Sequence, residues 1–233
     1  MTELLDCVEL QTQPSPTTAI IWLHGLGADG YDFVPVVREL EALGAPGARY
    51  VFPHAATMPV TINGGAVMRA WYDIVGADLI RREDEKGIRA SQLQVEALIA
   101  REVERGIARR RIVIAGFSQG GAIALQVALR QAEPLAGVVA LSCYLPLADR
   151  LMAERADAST SVPIFMAHGT SDPIVPLARA VASRDALKAA GHQVEWHQYP
   201  MPHSVSEPEI RDIATFLKRV LTSPEPLRAQ RSA

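Results

Sequence analysis

Residues 111–121 run Arg-Ile-Val-Ile-Ala-Gly-Phe-Ser-Gln-Gly-Gly, and they restrict the fold more than any other stretch of the chain. The β-branched run Ile112, Val113, Ile114 reads as a buried strand, and residues 119–130 read as a helix that begins at once. Only a sharp turn joins the two, with Ser118 at its apex. Gly116 and Gly120 flank the serine in a Gly-x-Ser-x-Gly pattern, where a Cβ atom would collide. Such a turn holds its serine in a strained backbone conformation, with the hydroxyl exposed beside a helix N-terminus. At average residue usage, roughly 0.05 such patterns arise by chance in a chain of this length. Ser118 therefore reads as a nucleophile.

The rest of the chain alternates in the way this turn requires. Short Val/Ile-rich runs occur at 19–23, 50–52, 112–115, 136–141, 164–167 and 194–199. They are continuous rather than alternating, as parallel strands covered on both faces should be. Helical patterns lie between them at 32–43, 88–105, 119–130, 177–190 and 207–221. The expected fold class is α/β, with a mostly parallel central sheet flanked by helices. Residues 1–222 are expected to form a single domain and 223–233 a flexible C-terminal tail. Residues 53–87 carry too little periodicity for a core element, and a long irregular segment in a compact domain is more often functional than inert.

Composition narrows the function classes. The formal net charge is -3, so no electrostatic footprint for nucleic acid is expected. The first twelve residues include Glu3, Asp6 and Glu9 and have no basic, then apolar, leader pattern. No apolar run approaches the length of a membrane span. Two cysteines, Cys7 and Cys143, make neither a disulfide framework nor a metal site. The expectations are a cytoplasmic location, no cofactor and no metal.

A serine hydroxyl is a weak nucleophile until a base lies within hydrogen-bond reach. After such a turn the partners follow in the chain order serine, acid, histidine. Of the downstream histidines, His192 follows a helix end and His197 lies inside a strand. His203 falls on a loop just past a strand, at the sheet edge where catalytic groups gather. The acid is expected on the loop after the strand at 164–167, where Asp172 stands between Gly169 and the stiffening Pro173 and Pro176. The tetrahedral intermediate needs two amide donors. One is the N–H of Gln119, the residue after the nucleophile. The other is expected from the glycine-rich loop after the first apolar run, at Leu26.

Five segments taken together resemble the phospholipase/carboxylesterase family of α/β-hydrolases, the group of bacterial carboxylesterases and acyl-protein thioesterases. They are His24-Gly25-Leu26-Gly27-Ala28-Asp29-Gly30, Trp71-Tyr72-Asp73, Gly116-Phe117-Ser118-Gln119-Gly120-Gly121, His168-Gly169-Thr170-Ser171-Asp172, and His203. The resemblance covers residues 15–220 and implies an α/β-hydrolase fold without a large cap domain. It also implies a Ser118–Asp172–His203 triad with an oxyanion hole at Leu26 and Gln119. In one departure, Pro202 replaces the glycine usual before the histidine, which stiffens that loop.

The expected function is a carboxylesterase that forms an acyl-enzyme on Ser118, with small to medium acyl esters favoured. The alternative is an acyl-protein thioesterase or lysophospholipase using the same triad, and a remote one is a non-catalytic ligand-binding scaffold. Trp71 either walls the acyl groove or pins the long loop, and Leu79 with Ile80 forms a flap over the acyl chain. Asp73, His24 and His168 read as loop braces. The expected partner is a small-molecule or lipid ester, and the family resemblance allows a homodimer.

Overall fold

The structure, a computed structural model, describes residues 4–76 and 83–222. Leu79, Ile80 and the tail at 223–233 lie outside the described residues. In chain order the first elements are β1 (Cys7–Gln11), β2 (Ala19–Leu23), α1 (Val36–Ala42), β3 (Arg49–Pro53), β4 (Thr57–Val60) and β5 (Ala66–Arg69). Next come α2 (Glu85–Glu104), β6 (Ile112–Phe117), α3 (Gln119–Ala128), β7 (Gly137–Leu141) and α4 (Leu151–Glu154). The last elements of the described residues are β8 (Ile164–Gly169), α5 (Leu177–Ala189), β9 (Val194–Tyr199) and α6 (Glu207–Thr222).

Seven strands form one sheet in the order β1-β3-β2-β6-β7-β8-β9. Every pairing is parallel except β1 with β3. Consecutive side chains of the central strands reach opposite layers, because the side-chain period of a strand is two. Ile112 and Ile114 of β6 join the layer under α2, α3 and α5, with Ile88, Leu98, Ile123 and Leu187. Val113 and Ala115 join the layer under α1 and α6, with Leu40, Ile213 and Phe216. Both layers exclude water, which is why these strands read as unbroken apolar runs.

β1 escaped the sequence reading because it alternates. Val8 and Leu10 pack on the core, whereas Glu9 faces the other way and pairs with Arg101 and Arg105 at 2.8 and 2.9 Å. The segment judged irregular contains an antiparallel hairpin, β4–β5, outside the main sheet. It is a two-stranded ribbon with Val67 71% exposed, so it carries no core pattern to detect. α1 begins four residues later than the helical pattern suggested. A turn occupies that stretch, with the Tyr31 N–H on Asp29 Oδ1, and Pro35 sits at the N-cap.

Strand order places the site. From β2 the chain crosses to β3 on one side, and from β6 it crosses to β7 on the other. The carboxyl ends of β2 and β6 therefore flank a topological switch point, where open α/β sheets bind their ligands. The Leu26 loop leaves β2 there, and Ser118 leaves β6. Among the described residues no helix is long and apolar enough to cross a membrane.

Candidate active site

Ser118 has φ 55° and ψ -119°, a conformation that costs a non-glycine residue of order 1–3 kcal/mol and persists only where packing imposes it. That packing is visible. The Ser118 N–H donates to Leu141 O of β7 at 2.8 Å, and the Ser118 carbonyl accepts from the Ala122 N–H at 3.1 Å. A Cβ on Gly120 would lie 2.4 Å from Leu23 O, so the start of α3 crosses β2 only because residue 120 has no side chain. All ten residues of α3 are buried, which fixes the turn from below.

Asp172 and His203 meet. A carboxylate only accepts, so His203 Nδ1–H donates to Asp172 Oδ2, at 2.7 Å. The other oxygen, Oδ1, accepts the N–H groups of Ile174 and Val175 at 2.8 and 2.9 Å. Both oxygens are thus held, and the side chain has no exposure. The far edge of His203, 16% exposed, borders the cavity that Ser118 also lines. The Phe117 ring backs the imidazole with centroids 4.7 Å apart.

Pro202 sits in a loop tied down on both sides. The backbone bonds here run from Met201 N–H to Tyr199 O, from Ser171 N–H to Met201 O and from Ser204 N–H to Pro202 O. These use the carbonyls of residues 199, 201 and 202. Gly169 makes room beneath: a Cβ there would lie 2.4 Å from both Met201 O and Pro202 O.

Leu26 lines the same cavity, in a turn where Gly27 N–H bonds Arg69 O (2.9 Å) and Ala28 N–H bonds Gly25 O (3.3 Å). Gln119 begins α3, so its amide lacks an intrahelical acceptor. The Gln119 side chain ties the start of α3 to the Trp71–Tyr72 segment. Its Oε1 accepts the Trp71 N–H at 2.8 Å and its Nε2 donates to Tyr72 O at 2.7 Å.

Of the two readings of Trp71, the geometry favours the pin over the groove wall. Trp71 is 2% exposed, and its indole N–H donates to His24 O at 2.8 Å. The cavity is lined by its neighbour Tyr72, whose hydroxyl shares a hydrogen bond with Tyr144 at 2.8 Å. Sequence reasoning missed Tyr72 and Tyr144. Their one signal was position, in the Trp-Tyr-Asp motif and just past the end of β7. Asp73 braces the hairpin, accepting the Thr61 N–H (2.7 Å) and hydroxyl (2.6 Å).

His168 and His24 are both buried and neutral. His168 Nε2–H donates to Val175 O at 2.8 Å, beneath the Asp172 loop, and burial lowers its pKa. His197 lies apart, 3.0 Å from Glu195 on β9.

The cavity measures about 980 Å³ and is walled by Ile62, Ile74, Phe117, Ile174 and Val175. Among the described residues its charged groups are Asp32 and Arg179. Burial, with Asp29 nearby, raises the Asp32 carboxyl pKa, and the Arg179 guanidinium lies 3.7 Å from the Tyr144 ring centroid. A strained serine, a buried acid–histidine pair, amides at a helix start and an apolar cavity together equip the site for acyl transfer.

Comparison with known proteins agrees. A family model described as Phospholipase/Carboxylesterase matches residues 6–221. The chain belongs to the phospholipase/carboxylesterase family. Family membership makes it a serine hydrolase with the α/β-hydrolase fold. The chain is 38% identical over 216 residues to acyl-protein thioesterase 1 of Gibberella zeae, spanning 88% of this chain and 91% of that one. It is 40% identical over 212 residues to acyl-protein thioesterase 1 of Neurospora crassa, spanning 86% of each. Among solved structures, Arabidopsis thaliana SOBER1 superposes with TM-score 0.81 at 33% identity, covering 88% of this chain and 99% of that one. Zea mays acyl-protein thioesterase 2 superposes with TM-score 0.82 at 27% identity, covering 93% and 99%.

Proposed function

We propose that this serine hydrolase is a thioesterase of the acyl-protein type, releasing a fatty acyl group from a cysteine thiol through an acyl-enzyme on Ser118. Relatives named acyl-protein thioesterase at 38–40% identity carry this reading. It is the alternative drawn from the sequence, ranked here above a carboxylesterase for small to medium esters, and the large apolar cavity beside Ser118 supports it.

In this reading His203 Nε2 takes the Ser118 proton as Oγ attacks the thioester carbonyl. The N–H groups of Leu26 and Gln119 receive the oxyanion. Collapse breaks the C–S bond, and the thiol leaves with the proton from His203. Water, deprotonated by His203, then attacks the acyl-enzyme; the bond from the acyl carbon to Ser118 Oγ breaks, Oγ takes the proton back from His203, and the carboxylic acid is freed. Asp172, held by two amides, keeps the Nδ1–H tautomer throughout.

The test compares kcat/KM on an S-acyl cysteine peptide series and a p-nitrophenyl ester series of matched chain length. A methylene entering the cavity is worth about 0.8 kcal/mol, so kcat/KM should rise up to ~4-fold per methylene until the cavity is filled. Thioesters should match or exceed esters at long chain length. A maximum at two to four carbons would return the assignment to a short-chain carboxylesterase. Ser118→Ala should lower kcat by about 10⁴–10⁶-fold, and retained turnover would remove the acyl-enzyme altogether.

A further inference from the structure

We infer that His24 is a positioning residue for the oxyanion hole, aiming the Leu26 N–H by holding the opposite end of the same peptide unit. The inference rests on the reading of Leu26 as an oxyanion donor.

Two bonds determine the tautomer of His24. Its Nδ1 lies 2.7 Å from Gly25 O, and a carbonyl only accepts, so Nδ1 carries the proton. Its Nε2 lies 3.0 Å from the Ala55 N, and an amide only donates, so Nε2 is bare. The ring is 1% exposed, and burial lowers its pKa, which keeps it in this neutral form. His24 itself cannot drift. The Trp71 indole holds its carbonyl at 2.8 Å, and Trp71 is in turn held by Gln119 Oε1 through its backbone N–H.

The consequence lies in the next peptide unit. Gly25 O accepts from His24 Nδ1–H and, at 3.3 Å, from the Ala28 N–H. The Gly25–Leu26 peptide is planar and trans, so its N–H points opposite to its carbonyl. Fixing Gly25 O toward His24 therefore turns the Leu26 N–H away from the buried ring, and Leu26 borders the cavity. A free loop would have to be ordered at the moment of reaction, whereas a preset donor costs no reorganisation. His24 is not among the residues that line the cavity. It acts through one peptide plane.

Two substitutions separate this role from simple packing. In His24→Asn, the amide nitrogen reaches near the Nδ1 position and still donates to Gly25 O, while the Ala55 acceptor is lost. In His24→Gln, the amide oxygen reaches near the Nε2 position and accepts from Ala55, while the Gly25 donor is lost. H24Q should lower kcat by about 10²-fold, the low end for losing one oxyanion donor. KM should stay within about threefold, because the ground state makes less use of the hole. Affinity for an alkyl boronic acid, whose serine adduct is tetrahedral, should fall with kcat. H24N should recover kcat to within about fivefold of wild type. Equal losses in both variants, an unchanged H24Q, or a loss confined to KM would each overturn the inference.

A measurement on the intact protein covers the case in which H24Q does not fold. Imidazole ¹⁵N spectra at neutral pH should show His24 protonated at Nδ1 alone, and a proton on Nε2 would overturn the inference. The underlying functional reading is tested separately by Ser118→Ala. If that variant keeps its activity, the acyl-enzyme reading fails whatever His24 does. If it is inactive and the His24 variants behave otherwise than stated, only the positioning role fails.

Discussion

Adding one methyl group at Gly169 should disable His203 without touching it. Gly169 ends β8 in extended backbone, so any L residue suits its conformation and the objection is one of space. A Cβ there lies 2.4 Å from Met201 O and Pro202 O, against an ordinary contact of at least 3.4 Å. Both obstacles are backbone atoms, and neither rotates aside. The 199–204 loop must therefore retreat by about 1 Å, a displacement that can cost about 10²-fold in rate when it misplaces a catalytic group. Overpacking of this kind also costs about 1–3 kcal/mol of stability, and in a chain of this size each kcal/mol shifts Tm by about 2–4 °C. The two costs have different readouts. Gly169→Ala should unfold several degrees lower by calorimetry, and at a temperature where it is fully folded its kcat should be about a hundredfold down. Wild-type kcat in G169A, with Tm within one degree, would show that the loop is not seated as described and would refute the reasoning.

Two further predictions concern strain and pH. Ser118→Gly should gain about 1 kcal/mol of stability, because glycine accepts the φ of 55° that serine tolerates only under constraint, while turnover disappears; an unchanged or lower Tm would contradict the strain. Glu209, buried at the start of α6 with one oxygen on the Ser206 N–H, has its pKa pushed up to about 7 by burial. The folded protein then holds a proton that the unfolded chain releases near 4.5, so this group's contribution to stability declines as pH rises through that interval. Buried His24, His168 and His192, with lowered pKa values, tilt stability the opposite way on the acid side of 6.5. The difference between wild type and Glu209→Gln isolates the carboxyl. In urea titrations the advantage of E209Q should grow between pH 5 and 7, and a constant difference would refute the shifted pKa.

Much of the catalytic geometry was written in local patterns. The strand–turn–helix around Ser118 is a short-range object, because a β-branched run, two glycines and a helix-forming stretch specify it without distant help. Asp172 and His203 were legible for a related reason: each follows its own strand, and parallel strands bring their carboxyl ends to one edge. The cavity walls were not legible. Tyr72 meets Tyr144 across seventy-two residues of chain, and nothing local to either marks the pairing. Trp71 looked equally suited to a groove wall or a pin. Only its bonds to His24 O and Gln119 Oε1 separate the two.

The sequence by itself determined the layered fold and the serine-hydrolase class of this protein, and it marked the candidate nucleophile, acid and base. Those depend on residue type and on periodicities of two and 3.6, which a linear chain displays. The tertiary structure decided which neutral histidine holds which carbonyl, how the Asp172 loop is braced, and how close Gly169 lies to the Met201 and Pro202 carbonyls. These are matters of a few tenths of an ångström between segments far apart in the chain. They are set by how the strands twist and pack, and no local pattern records them.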